Sequence, residues 1–325
     1  MADSGKFAGT MAARPLAKVR SSLSGDRIAY LVTLLFAVSI IILTVLVLYK
    51  LVSASELSRA KFGWSFAFTQ TWNPVTGQFG ALPFVYGTVV TSVVALVIAG
   101  PLGLGCAIFL SELAPLRLSS ALTFVVELLA AVPSVIYGLL ALFALVPLLR
   151  DPVEPWLKDW FGFLPCFQGP AYGVGYLAAG LVLAIMVVPF ITSVSRESLL
   201  AVPREQHEAA LALGATRWEA TWNVVLPYAR SGIAGSVFLA LARALAETMA
   251  VTMVIGNDPK IRASLFAPGY TIAAVIANEF TEAITNLHVS ALIELGLVLF
   301  VITVIMNGLG QLLMLATSRT GSIHT

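Results

Sequence analysis

The sequence predicts an all-α membrane protein with about six transmembrane helices. Hydrophobic residues make up 58% of the 325-residue chain and charged residues only 11%, whereas a soluble domain carries about 25% charged residues. Apolar runs of more than about 20 residues recur along the chain, and at about 1.5 Å per residue each can cross a hydrocarbon core of about 30 Å. The net charge of +2 indicates no particular partner. Composition therefore predicts the membrane class and leaves the function open.

The chain begins with a basic tail, predicted over residues 1–27. A cleavable signal peptide could begin in this way, but the apolar run that follows is too long and has no small-residue cleavage site. A nucleic-acid-binding arm is a second alternative. Cytoplasmic retention is the simpler explanation, because clusters of basic residues keep an end of a membrane protein in the cytoplasm. The basic residues of this tail are Lys6, Arg14, Lys18, Arg20 and Arg27.

Six spans are predicted after this tail. The first span and its outer connection occupy residues 28–83, the remaining spans form a transmembrane core over residues 84–317, and residues 318–325 form a second tail. An even number of spans puts both ends on one side, and the short segments on that side carry the excess of Lys and Arg, so we expect both ends in the cytoplasm of a bacterial cell. The predicted spans are 28–49, 84–110, 120–149, 174–194, 233–255 and 290–316.

The two longest outer connections are rich in aromatic residues. The alternating run in residues 50–83 would suit a short strand or a segment at the membrane interface, and residues 150–173 would suit the interface. Interfacial packing is the favoured interpretation, and a docking surface for a binding protein is the alternative. The aromatic residues are Phe62, Trp64, Phe66, Phe68 and Trp72 in the first connection, and Trp156, Trp160, Phe161 and Phe163 in the second.

A polar stretch over residues 203–227 interrupts the apolar core and predicts two short helices. Gly214 supplies a left-handed stop for the first helix, and Thr216 and Glu219 have the spacing of a capping box that starts the second. Pro227 is expected to end the second helix. The stretch is too short and too charged to cross a bilayer, so it should lie outside the membrane.

This stretch resembles the EAA loop of permease subunits in ATP-binding-cassette importers, and we call residues 203–227 the EAA segment. The resemblance implies the type I importer permease fold, in which the first helix of the loop fits a cleft on a separate ATPase subunit and couples it to the membrane helices. An amphipathic helix resting on lipid headgroups is the alternative. The matching residues are Glu208, Ala209, Ala210, Gly214 and the run Val224, Val225, Leu226 and Pro227, with Val224 where the family usually has Ile.

Two charged residues fall inside the fifth predicted span. Arg243 lies near its midpoint and Glu247 follows at i+4, so both are expected on one helix face. Each charge at this depth costs at least about 2.5–3.5 kcal/mol on insertion scales, which leaves three interpretations. The two may form a structural pair that locks the helix, Glu247 may hold Arg243 in place to contact an anion, or they may relay protons, which the absence of a nearby histidine disfavours.

The residues around this pair resemble the permease subunits of bacterial phosphate importers. The match covers Arg243–Val251 and Val254–Asn257, with Ala246 where many relatives have Gly, and the Pro-Ser-Val run at Pro133 in span three is similar too. The resemblance implies that Arg243 and Glu247 act in phosphate movement, and a guanidinium fork does match a tetrahedral oxyanion. It also implies a second permease subunit, an ATPase dimer and an extracytoplasmic phosphate-binding protein as partners.

Other functions remain as alternatives. Sulfate or another oxyanion would suit the same arginine, and an ion-coupled secondary carrier would need repeated discontinuous segments, which the sequence does not suggest. No GxxxxGK[ST], HExxH or GxSxG run and no Cys/His cluster is present, so we expect no enzyme activity, no metal and no cofactor in this chain. ATP and Mg should be bound by the partner ATPase. Cys106 and Cys166 are expected to be free thiols.

Overall fold

The computed structural model describes residues 17–319, and side chains over residues 25–312. The predicted tails, residues 1–27 and 318–325, therefore lie almost entirely outside the described residues. The chain divides into two units at residues 53 and 54. The first unit contains most of helix α1, Ala17–Ala54, whose apolar side chains from Ile28 to Tyr49 are exposed.

The second unit contains the other helices. Helices are the only regular elements among the described residues apart from two isolated β-bridges, which confirms the all-α fold. Six helices of the described chain are long and apolar enough to cross a membrane. The helices are α2 Glu56–Phe62, α3 Leu82–Leu113, α4 Leu116–Ala130, α5 Ser134–Phe161, α6 Tyr176–Leu200, α7 Arg204–Ala212, α8 Arg217–Ala246, α9 Met249–Val254, α10 Ile272–Glu279 and α11 Asn286–Arg319.

The predicted third span, residues 120–149, is wrong in its bounds, because the chain breaks between α4 and α5. Pro133 is extended with ψ 138°, and its ring nitrogen has no hydrogen to continue the helical bonding of α4. The crossing helix α5 starts at Ser134 and runs to Phe161, so it also takes the first part of the connection predicted over residues 150–173. A π turn at Leu149–Val153 contains Pro152, and its wider bonding lets the helix continue past that proline.

The predicted fifth span, residues 233–255, is also wrong as an unbroken helix. α8 ends at Ala246, and Glu247 is extended with ψ 130° before α9 begins. At its other end α8 starts at Arg217 and passes through Pro227 without stopping. A π turn at Thr221–Val225 precedes that proline, which lies in the first turn of the α-helical part, where no backbone donor is needed.

Close packing joins α3, α6 and α8 in the middle of the unit. A Cβ atom on Gly103 of α3 would lie 2.8 Å from Ile191 of α6, so only glycine lets the two backbones approach this far. Next to it the Thr192 hydroxyl donates to the Gly103 carbonyl over 3.2 Å. The Ser195 and Ser236 hydroxyl oxygens lie 2.7 Å apart and tie α6 to α8. Small and hydroxyl residues thus replace bulky ones at these contacts, as is common between membrane helices.

Two further clusters mark the two ends of this packed unit. At one end, which we call the EAA end, the buried residues are Ala107, Ile108, Leu199, Val202, Val225 and Ala229. At the opposite end the first turn of α3 packs against α10 and the start of α11, and the core includes Phe79, Phe84, Ile272, Leu292 and Leu295. Burial there raises the pKa of Tyr270 to about 12, so its phenol stays neutral and accepts a hydrogen bond from the Asn278 amide.

The aromatic residues of the first connection have divided roles. The segment forms α2 and a 3₁₀ turn, Gly63–Ala67, in place of a short strand. Phe66 is buried in the core of the opposite end, and the Trp72 indole donates to Glu279 over 2.9 Å. Trp64 and Phe68 are exposed. Part of the run therefore belongs to the core, and the exposed part remains suited to the membrane interface.

Candidate functional site

Arg243 lies at mid-depth in the packed helices. Its guanidinium carbon is 5.9 Å from the centre of the Phe190 ring on α6, within cation–π distance. Phe190 is fourteen residues after Tyr176 and ten before Leu200, the two ends of α6, which corresponds to about 21 Å and about 15 Å along the helix axis. The Arg243 side chain is exposed in the isolated chain. A cation that the surrounding helices leave accessible at this depth is available to an anion or to a partner.

Glu247 does not share a helix face with Arg243. The expectation of an i+4 pair on one helix is wrong, because α8 ends at Ala246 and Glu247 lies in the break. Its carboxylate accepts a hydrogen bond from the Ala250 backbone N–H over 3.2 Å, so it satisfies one of the orphan donors at the start of α9. Among the ion pairs of the described residues none joins Arg243 to Glu247. The role of the two residues in a transport path stays a prediction.

Tyr137 is a site residue that the sequence analysis missed. Its hydroxyl donates to the Leu129 carbonyl over 2.7 Å, and Leu129 is the residue four positions before Pro133. In an unbroken helix the N–H of residue 133 would bond to that carbonyl, and proline cannot do so. Tyr137 is buried, with 8% of its surface exposed, and lies within Coulombic range of Arg243. The signal in the sequence was a tyrosine one turn after a proline inside an apolar run.

The two helix breaks are in contact. Gly138, in the first turns of α5, packs so closely on α9 that a Cβ atom would lie 3.0 Å from the Ala250 Cα and 2.6 Å from the Met253 sulfur. The break before α5 and the break before α9 therefore meet beside Arg243. The sequence did not suggest such discontinuities, and the structure has two of them side by side.

The EAA segment projects from the EAA end. Its first helix, α7, has no buried residue, and Gly214 follows it at φ +92°, the left-handed stop that was predicted. The predicted capping box is confirmed, since the Glu219 backbone N–H donates to the Thr216 hydroxyl over 3.3 Å and the Thr216 N–H donates to the Glu219 carboxylate over 2.8 Å. Of the motif residues, Glu208, Ala209 and Pro227 are exposed, and Ala210 and Leu226 are half-buried.

Apolar anchors hold this segment at its base while its outer surface stays open. Val202 and Val225 are buried in the cluster of the EAA end. In contrast, Leu213 is 91% exposed, and the exposed Trp218 and Trp222 rings stack with their centres 5.8 Å apart. His207 of α7 lies 3.7 Å from the Glu112 carboxylate at the end of α3. Exposed apolar rings on a firmly anchored helical corner are typical of a surface that another protein covers.

A single helix connects this surface to Arg243. α8 has 30 residues from Arg217 to Ala246, about 45 Å of continuous helix. The capping box fixes its first turn, and Arg243 lies in its last turn. Movement of the EAA segment would therefore reach the break at Glu247 through one rigid element.

In the described part of the chain no group of three or more His, Cys, Asp or Glu side chains could hold a metal ion. Cys106 and Cys166 are free and exposed. The titratable residues of the site are instead spread along helices, in positions that suit contact with a passing ion.

Comparison with known proteins gives the family. The model of the binding-protein-dependent transport system inner membrane component matches residues 99–317. The phosphate transport system permease protein PstC of Mesorhizobium japonicum is 47% identical over 311 residues, covering 94% of this chain and 95% of that protein. The PstC protein of Xylella fastidiosa strain Temecula1 is 51% identical over 261 residues, covering 79% of this chain and 80% of that protein.

A solved structure supports the same fold. A bacterial ABC transporter involved in the import of the acidic polysaccharide alginate matches with a TM-score of 0.58 at 17% identity, covering 90% of this chain and 98% of that chain. At this identity the likeness shows the fold alone, which confirms the importer permease architecture. The chain therefore belongs to the family of binding-protein-dependent transport system inner membrane components, and within it to the PstC-type phosphate transport permeases.

Proposed function

We propose that this chain is a permease subunit that moves inorganic phosphate into a bacterial cell, driven by a separate ATPase. The observation that carries the proposal is the position of Arg243, which is accessible at mid-depth where two helix breaks meet. The names of the PstC relatives support phosphate as the cargo. The guanidinium offers paired donors in the plane that matches two oxygens of a tetrahedral anion.

Arg243 would provide binding without trapping the anion. Its partner in the structure is the Phe190 ring, which cannot neutralise the guanidinium as a carboxylate would. Charge therefore remains available to attract phosphate in a region of low dielectric. A single arginine contributes a modest attraction, and passage requires that binding be weak enough for release.

The chain would work as one part of a larger assembly. We propose a second permease subunit, an ATPase dimer that binds ATP and Mg, and an extracytoplasmic phosphate-binding protein as partners, with no cofactor and no catalysis in this chain. The exposed surface of the EAA segment supports docking of the ATPase at that end. This arrangement places the EAA end and both termini in the cytoplasm, in the bacterial inner membrane.

The test is Arg243→Gln in the complete importer. We expect phosphate uptake into proteoliposomes to fall to background, because glutamine keeps hydrogen-bond donors but loses the charge, while the subunits still assemble and the ATPase still hydrolyses ATP. The matched control is Arg150→Gln, which removes an exposed arginine paired with its neighbour Asp151 and should leave uptake intact. Normal uptake by Arg243→Gln would reject the proposed path. Competition by unlabelled sulfate as strong as by phosphate would reject the proposed substrate.

A further inference from the structure

A cavity of about 590 Å³ opens at the opposite end of the second unit, between α2 with its following 3₁₀ turn and the face of α11. Its walls are almost entirely apolar and include Leu297, Val301 and Ile302 of α11. Two charged residues, Arg59 and Glu294, also line it. Residues of α1 before Ala54 take no part in this cavity.

The polar end of the cavity holds groups of both signs. Glu294 is only 6% exposed, and its Oε2 atom has no hydrogen-bond partner among the described residues. A buried carboxylate oxygen without a donor is costly in any protein and more so within a membrane helix. Arg59 is held in position by a hydrogen bond from its Nε to the Ser55 hydroxyl over 3.0 Å. The cavity thus presents a carboxylate that lacks a donor and a guanidinium that can bind an oxyanion.

The location of the cavity fits a lipid. Glu294 is eight residues after Asn286, the start of α11, or about 12 Å along the helix axis. Trp64 on the rim is 90% exposed, and exposed tryptophans typically lie at the level of lipid headgroups. From Glu294 the apolar wall continues along α11 towards the middle of the helix, in the direction that an acyl chain would take.

We propose that this cavity binds a zwitterionic phospholipid with a primary ammonium headgroup, of the phosphatidylethanolamine class. The phosphodiester would lie at Arg59, the ammonium group would donate to Glu294, and one acyl chain would pack along Leu297 and Val301. Two charges of opposite sign favour this headgroup over an anionic one, because an anionic lipid would leave Glu294 without a donor. The inference does not depend on whether Arg243 contacts the transported anion.

The experiment is a lipid titration of the complete importer in mild detergent, followed by native mass spectrometry. Phosphatidylethanolamine and phosphatidylcholine with identical acyl chains are compared, since the trimethylated headgroup has no N–H to donate. We expect one tightly bound phosphatidylethanolamine for each copy of this chain, with phosphatidylcholine weaker by on the order of tenfold, as for a lost hydrogen bond to a charged group.

Two variants locate the site. Glu294→Gln should remove the preference for phosphatidylethanolamine, whereas the control Glu282→Gln, in an outer segment away from the cavity, should keep it. Val301→Trp should fill the apolar wall and weaken both lipids, which tests the site even if Glu294→Gln fails to assemble. The proposal is overturned if the importer binds the two lipids equally, if the preference survives Glu294→Gln, or if no lipid is retained because a partner subunit fills the cavity.

Discussion

Removing the Tyr137 hydroxyl should loosen the break beside Arg243. Tyr137→Phe keeps the buried ring and deletes the donor that satisfies the Leu129 carbonyl. That carbonyl retains a second contact, the Val132 backbone N–H at 3.2 Å, so it is weakened and not orphaned. The loss is therefore about 1 kcal/mol, the value for a net hydrogen bond and the low end for an unsatisfied buried acceptor.

This energy corresponds to an effect of about fivefold, because 1.4 kcal/mol is a factor of about ten. If the break must be ordered for transport, Tyr137→Phe should lower the rate of phosphate uptake by about fivefold in proteoliposomes containing the complete importer. ATP hydrolysis should fall less, because the EAA segment is unchanged. The two rates measured on one preparation give the number of phosphate ions moved per ATP, and this ratio should drop.

A double-mutant cycle gives the decisive control. Pro133→Ala restores a backbone N–H that can donate to the Leu129 carbonyl, so the tyrosine hydroxyl becomes redundant in that background. In thermal unfolding of the importer, Tyr137→Phe should then cost much less on top of Pro133→Ala than it costs alone. Equal costs in both backgrounds, or full uptake by Tyr137→Phe, would refute the assignment of Tyr137 to the proline break.

Two glycines give the remaining predictions. Gly214→Asp should stop uptake with the subunit still in the membrane, since the residue is strained at φ +92° and adds a negative charge at the negative end of α7; Gly214→Asn, which tolerates this conformation and adds no charge, should retain more uptake. Gly138→Ala should slow uptake several-fold because its Cβ would meet Ala250 and Met253, while Gly105→Ala, with nothing within 4 Å, should be neutral. Full uptake by Gly214→Asp would contradict the coupling role, and equal effects at Gly138 and Gly105 would contradict a tight contact between α5 and α9.

Local chemistry explains what could be predicted from the sequence. The capping box at Thr216 and Glu219 and the stop at Gly214 form as expected, because each depends on residues within three or four positions. The number of candidate spans follows from composition in the same way. Arg243 was found as a charge inside an apolar run, since few physical situations tolerate such a charge.

The helix breaks could not be predicted because they depend on distant groups. Glu247 leaves the helix and caps α9, which packs against Gly138, more than 100 positions earlier in the chain. Proline was an unreliable guide for the same reason. Pro133 breaks a helix while Pro152 and Pro227 do not, because π turns at Leu149–Val153 and Thr221–Val225 accommodate the latter two.

The break at Glu247 determines what a movement of the EAA segment can achieve under the proposed function. α9 is tied to the opposite end, since its Val254 carbonyl accepts a hydrogen bond from the Gly175 N–H at the start of α6. α8 is tied to the EAA end by Val225 and Ala229. If the two were one helix, a push at the EAA end would have to move both ends together. With the break between them, a small tilt of α8 changes the position of Arg243 relative to α9 while the opposite end stays in place, because a few extended residues absorb the change in backbone angles.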